Sequence, residues 1–368
     1  MLRTGLVGPK VFLLPRALRS SQAAVCTVSR MAVSLPPPPP GGSRLAIIGD
    51  IGEENLALAQ LMSQIPQPKA VILGNHDGWQ HSKSKFGRDY MQQHDGAQPD
   101  PAAIHKHYKG VLDQLDAFGP DHIGYGAKHF AAQNLSVVGA RPCSWGGKRW
   151  RLGTGICEDL FGVMSMAEST SRIQHHICSQ PAGSTVVVMG HNGPTGLGAL
   201  RHDICGIDWQ PEQGDNGDPD LRAALDGAHQ QGAHVPLVVF GHMHHALRRR
   251  GGPESFRNMV HIDASTGTVC LDAAVVPRWR DTKDSHLSHF TVADISKDRI
   301  VTFAAHVWVK TERMDSNGEF QRCSGEVVAV EELLQQLPAE ASVDCVLDLP
   351  GIISVNLMFK SANFDNSN

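Results

Sequence analysis

A chain of 368 residues that is 41% hydrophobic and 19% charged, with a formal net charge of -4, suits one large globular domain with extensions or two modest ones. That balance advertises neither a nucleic-acid surface nor an acidic tail, and no apolar run approaches the roughly 20 residues of a membrane span. The eight cysteines are scattered without a Cys-x-x-Cys pair, which fits reduced thiols better than a disulfide framework or a zinc finger.

Residues 1–44 contain no Asp or Glu but carry Arg3, Lys10, Arg16, Arg19, Arg30 and Arg44 among Ser, Ala and Val. This is the composition of an organelle transit peptide, read here as chloroplast-directed with the mitochondrion as the alternative. The proline run Pro36 to Pro40 leads into a first strand, Leu45 to Ile48, which ends at Gly49-Asp50. Asn55 to Ile65 has a helical apolar period stopped by Pro66, and Lys69 to Leu73 reads as the next strand. Residues 78–126 form a long polar, His-rich segment with a helix near Ala102 to Phe118. Strands then follow at Leu135 to Gly139, Thr185 to Met189 and Pro236 to Phe240, separated by helices at Met164 to Cys178 and Asp220 to Gln231. From about 259 strands dominate: Met259 to Ile262, Thr268 to Val276, Phe290 to Ile295 and Ile300 to Val309. The expected fold is therefore α/β in character (an α+β sandwich), with two β-sheets packed face to face and helices outside. The domain spans residues 45–311. Residues 312–368 read as a C-terminal extension with a helix at Val327 to Leu337.

Three of the buried strands end alike, in Gly74-Asn75-His76-Asp77, Gly190-His191-Asn192 and Gly241-His242-Met243-His244, and Gly49-Asp50 repeats the design with a carboxylate. Each glycine permits a tight turn that can aim the next side chain into a shared cleft at the strand ends. Oxygen and imidazole donors converging there suit Mn, Fe or Zn rather than Ca. The abundance of histidine, 20 in all, adds little by itself.

This ordered set resembles the calcineurin-like metallophosphoesterase superfamily. The tracts Val71 to Asp77, Gly190 to Gly198 with Asp203 to Gly206, and Pro236 to His244 resemble a group found in plants and cyanobacteria. The resemblance implies a β-sandwich flanked by helices, two divalent metal ions at the strand ends and hydrolysis of phosphomonoesters or phosphodiesters. It further implies that Asn75, His191 and His242 hold one metal, that His244 reaches the other and that Asp50 bridges both. His76 would protonate the leaving group, with Asp77 orienting its ring. Asp-Arg-Gly is absent and Asp77 stands where Ser/Thr protein phosphatases carry Glu, which sets the chain apart from them. No basic tract argues for nucleic acid as substrate.

The chain also departs from that pattern. Gly52 occupies the place of the histidine in an Asp-x-His first motif, while the interval from Asp50 to Asn75, holding one helix and one strand, suits the second. Asp50 is therefore assigned to the second motif, and the first strand-helix unit is missing. One metal keeps a full set of ligands; the other keeps only Asp50 and His244 unless Glu53 or Glu54 moves in. The expectation is a metal-dependent phosphoesterase weakened by that loss, binding about one metal instead of two. The alternative is a catalytically inactive protein that keeps the fold for a binding or regulatory role.

Overall fold

Alternation along the strands decides the layers. In Thr185–Met189, Val187 and Met189 join one buried cluster while Val186 and Val188 join another, so this strand is covered on both faces. The computed structural model describes residues 35–49, 55–150, 152–247, 256–282, 286–311, 327–335 and 353–354. Asp50, Glu53 and Glu54 lie outside the described residues, as do residues 1–34, where most of the expected transit peptide falls.

In chain order the elements are β1 (Ser43–Ile47), α1 (Asn55–Ser63), α2 (Phe86–Gln93), α3 (Pro101–Phe118), β2 (Ala127–Phe130), β3 (Leu135–Gly139), α4 (Thr154–Phe161), α5 (Met166–Cys178), β4 (Thr185–Met189) and α6 (Pro219–Gln230). Then come β5 (Leu237–Phe240), β6 (Val260–Ile262), β7 (Val269–Asp272), β8 (Trp279–Asp281), β9 (His286–Ile295), β10 (Val301–Thr311), β11 (Val327–Gln335) and β12 (Ile353–Ser354). One sheet has the order β2-β3-β4-β5-β7-β6, with β3, β4, β5 and β7 mutually parallel. The other runs β11-β10-β9-β1-β12, antiparallel except where β12 meets β1, with β8 added on β9. Leu45, Ile47, Ala293, Ile295 and Ala304 from this sheet bury against Leu135, Val137, Val187, Leu237, Val239 and Leu271 from the first. The outer face of the first sheet takes Ile173 and Ile177 of α5 and Leu221, Ala224 and Ala228 of α6. Two packed sheets flanked by helices are thus what the chain forms, as its patterning implies.

Two local expectations change. Lys69 to Leu73 makes no ladder. Its hydrogen bonds are divided between segments: Val71 N–H donates to Asp121 O, Ile123 N–H to Val71 O and Cys143 N–H to Leu73 O, so only an isolated bridge to His122 forms. The expected helix at Val327 to Leu337 is instead strand β11, paired along β10 from Val309↔Val327 to Phe303↔Gln335. Val327, Val328 and Val330 are β-branched, and a waiting edge of β10 outweighs the helical spacing of the apolar residues. At the other end, Leu35 is buried against Val292, Phe303, Ala305 and Val307, and Arg44 ties Pro36 O to the Asp294 carboxylate.

Candidate metal centre

The parallel strands β4 and β5 run in register, Met189 beside Val239, and the pairing continues past their ends. Gly190 N–H donates to Val239 O (2.9 Å) and Gly241 N–H to His191 O (2.9 Å), which brings His191 and His242 side by side. Their rings lie 4.9 Å apart at 64°. His242 has φ +68°, a left-handed conformation uncommon for a residue other than glycine, held by a tight turn in which Met243 N–H donates to Gly241 O (2.8 Å).

Asn75 arrives on the turn that follows the Lys69 to Leu73 segment. His191 Nε2 lies 2.8 Å from Asn75 Oδ1 and 3.2 Å from His242 Nδ1. Both Asn75 and His191 are buried. A ring nitrogen carries one proton or one lone pair in the ring plane, so Nε2 cannot serve both neighbours well. Two donors bound at right angles, each about 2.1 Å from a divalent cation, would sit about 3 Å apart. The donor set therefore fits a cation shared by Asn75, His191 and His242 better than it fits a hydrogen-bonded cluster.

The loop around Asn75 is built for this approach. Asp77 Oδ2 accepts from Gly74 N–H (2.6 Å), and Asp77 N–H donates to Gly74 O (3.2 Å), closing a turn. A Cβ on Gly74 would fall 2.8 Å from His191 Cε1 and 2.9 Å from Nδ1, so only glycine lets the imidazole pass. A Cβ on Gly49 would lie 3.2 Å from Gly241 Cα and from the carbonyl carbon of Ala273. The chain leaving β1 thus passes beside the His242 loop at Gly49.

His76 is exposed, with its ring stacked on Trp79 at 5.1 Å and 26°. His244 is exposed too, and its carbonyl accepts from Arg257 Nε (3.1 Å). Of the residues expected at the site, the structure brings Asn75, His191 and His242 within contact distance. Asp77 holds the Asn75 turn through Gly74. Among the described residues no three His, Cys, Asp or Glu side chains are grouped for a metal, because the third donor here is an amide.

Several supporting residues were not singled out from the sequence. Asn216 Nδ2 donates to Trp145 O (3.3 Å) and lies 3.7 Å from Met243 Sδ, while Asn216 O accepts from Asn192 Nδ2 (2.7 Å) and Gly147 N–H (2.8 Å). One asparagine thereby ties three loops at the strand ends. Arg257 is buried and also donates to Asp203 O and Gly206 O (2.7 and 2.6 Å). Below them Arg141 is fully buried between Asp218 (2.5 Å) and Asp220 (3.2 Å), with Ser144 Oγ donating to Asp218 (2.7 Å). Burial pushes the Asp218 carboxyl up; Arg141 works against that push and Asp220 adds to it. The available signal was topological: Gly139-Ala-Arg141 follows a buried parallel strand, as His191 and His242 do.

A family model described as calcineurin-like phosphoesterase matches residues 39–246, more than half of the chain. No curated protein and no solved structure matches.

Proposed function

Because this chain belongs to the calcineurin-like phosphoesterase family, we propose that it hydrolyses phosphate esters, monoesters or diesters, where the turn after Leu73 meets the ends of β4 and β5. The observation that carries the reading is the convergence of Asn75 Oδ1, His191 Nε2 and His242 Nδ1 within 2.8–3.2 Å. These residues, with Asp50, would hold a divalent cation, with Mn, Fe or Zn matching the mixed oxygen and imidazole donors. A divalent cation bound there supplies positive charge for the phosphoryl oxygens and a water of lowered pKa. His76 then gives a proton to the oxygen that leaves phosphorus, and its exposure on the rim of the turn allows that approach. Asp77 keeps the turn closed through Gly74, so Asn75 and His76 stay in fixed relation. Import into an organelle, the chloroplast first, belongs to the same proposal and rests on the acid-free residues 1–44.

A second reading is a fold-retaining protein without catalysis. It is favoured by Gly52, which has no side chain where an Asp-x-His motif would place a ligand. An aryl phosphate assay with added Mn²⁺ separates the two. The hydrolase reading expects metal-dependent turnover that falls by about 10²–10⁴ in His76→Ala. Metal-dependent binding of inorganic phosphate with no turnover would favour the second reading. Activity that survives His191→Ala would sink the metal assignment.

A further inference from the structure

The residue beside the proposed proton donor is a tryptophan that the fold leaves in the open. Trp79 is 53% exposed although it follows directly on the turn closed by Asp77 and Gly74. Its position is fixed from below. Gly78 is buried, and a Cβ there would fall 2.4 Å from Ile156 Cδ1 and 3.3 Å from Cys143 Sγ, so the backbone lies flat on the core and the next side chain must project. Trp79 N–H donates to His76 O (3.2 Å), and the indole stacks on the His76 ring.

A second tryptophan completes the rim. Trp145 lies 4.9 Å from Trp79 at 45°. It sits on a loop pinned by Asn216 at Trp145 O and Gly147 N–H, with Gly146 and Gly147 at φ +71° and +82°. A Cβ on Gly146 would come within 2.2 Å of Asn216 O, so the loop cannot slide without breaking that anchor. Exposed Lys148 and Arg149 follow directly on the same loop. Two indoles in contact with each other, one of them stacked on the proposed proton donor, form an aromatic platform rather than a stray surface patch.

We propose that Trp79, backed by Trp145, determines substrate class by stacking the planar aromatic ring of the leaving group, and that the substrate is a nucleoside phosphate. This rests on the phosphoesterase reading, in which water adds to phosphorus, the P–O bond to the nucleoside breaks and His76 supplies the proton that the departing oxygen takes up. The ring that leaves must then pass the His76 side of the cleft, where Trp79 stands. A base stacked on indole gains affinity without base-specific hydrogen bonds, so preference for a particular base is expected to be small.

The test compares AMP with ribose 5-phosphate, in which a hydroxyl stands on the anomeric carbon in place of the base. The full chain is titrated with each at 4 °C with Mn²⁺ present, following tryptophan fluorescence and calorimetric heat. AMP is expected to bind about tenfold tighter than ribose 5-phosphate and to quench tryptophan emission. Trp79→Ala should erase that difference while leaving the affinity for ribose 5-phosphate within about twofold, and Trp79→Phe should restore most of it. Unchanged melting of Trp79→Ala is the control for folding, and it is expected because the side chain is half exposed. Equal affinities of the wild-type chain for the two compounds overturn the proposal, as does an AMP preference that survives Trp79→Ala. Failure of AMP, ribose 5-phosphate and inorganic phosphate alike to bind would instead overturn the phosphate site beneath it.

Discussion

His191 with His242, and His289 with His306, are two pairs of imidazoles of nearly the same shape: ring centroids 4.9 Å apart in both, interplanar angles 64° and 63°. Their nitrogens tell them apart. At the strand ends Nε2 of His191 faces Nδ1 of His242 at 3.2 Å, and Asn75 Oδ1 closes on the same point at 2.8 Å. On β9 and β10, neither ring nitrogen of His289 has a hydrogen-bond partner among the described residues, and His306 spends Nδ1 on Thr291 Oγ1 (3.1 Å). The rings there pack as aromatics, His289 against Trp308 at 5.0 Å. Imidazole pairs become a ligand set only when loops bring their lone pairs to one point with an oxygen; within a sheet the strand spacing sets the ring distance and leaves the nitrogens wherever packing puts them.

The strongest way to break this contrast is to remove one ring from each pair. His191→Ala should lower metal affinity by more than the roughly 10–100-fold that a lost outer-shell partner costs. His306→Leu should leave the metal content unchanged. Elemental analysis of dialysed protein measures both, and loss of metal from His306→Leu would show that the two pairs are not distinct.

Acid probes the pair inside the sheet next. Burial holds His289 well below its ordinary value and His306 down to about 3. The folded protein therefore keeps them neutral while the unfolded chain takes up protons below about pH 6.5. Their contribution to stability is intact above that pH and falls as the medium is acidified, by about 1.4 kcal/mol per group per pH unit. Melting at pH 7.5 and 5.5 should reveal the fall, and His289→Phe, which keeps an aromatic ring and removes two unpartnered nitrogens, should flatten it. An equal slope in wild type and His289→Phe would mean that other groups carry the acid sensitivity.

Much of the geometry around Asn75, His191 and His242 was legible because its signals are local. Thr185–Met189 and Leu237–Phe240 are short apolar runs cut by glycine, and the structure places those strands within a residue of their sequence limits. His191, His242 and Asn75 follow from the same punctuation. What was not legible depends on partners far along the chain. Arg141 finds Asp218 77 residues away and Arg257 reaches Gly206 O across 51, distances at which composition and period carry no information. The same is true of Val327–Gln335, whose strand state is decided by the free edge of β10. The Trp79 platform lies between these cases. His76 and Trp79 are three apart in one tight turn, a spacing visible in the sequence, but Trp145 joins them only through the fold.

The smallest expected effect probes the contact on which the convergence rests. Gly74→Ala places a methyl group 2.8–2.9 Å from two atoms of the His191 ring, which must swing away from Asn75 and His242. Overpacking of this kind costs about 1–3 kcal/mol, and here it should appear as a roughly tenfold weaker metal affinity together with a lower melting temperature. Gly110 in α3 is the matched control, because a Cβ there meets nothing within 4 Å. Gly110→Ala should raise stability by about 0.5–1 kcal/mol through helix propensity alone and leave metal binding as it was. A Gly74→Ala protein that melts lower yet binds metal as tightly as before would show that the His191 ring can move without disturbing the site, and His191 would then have to be replaced as a ligand by a residue on another loop.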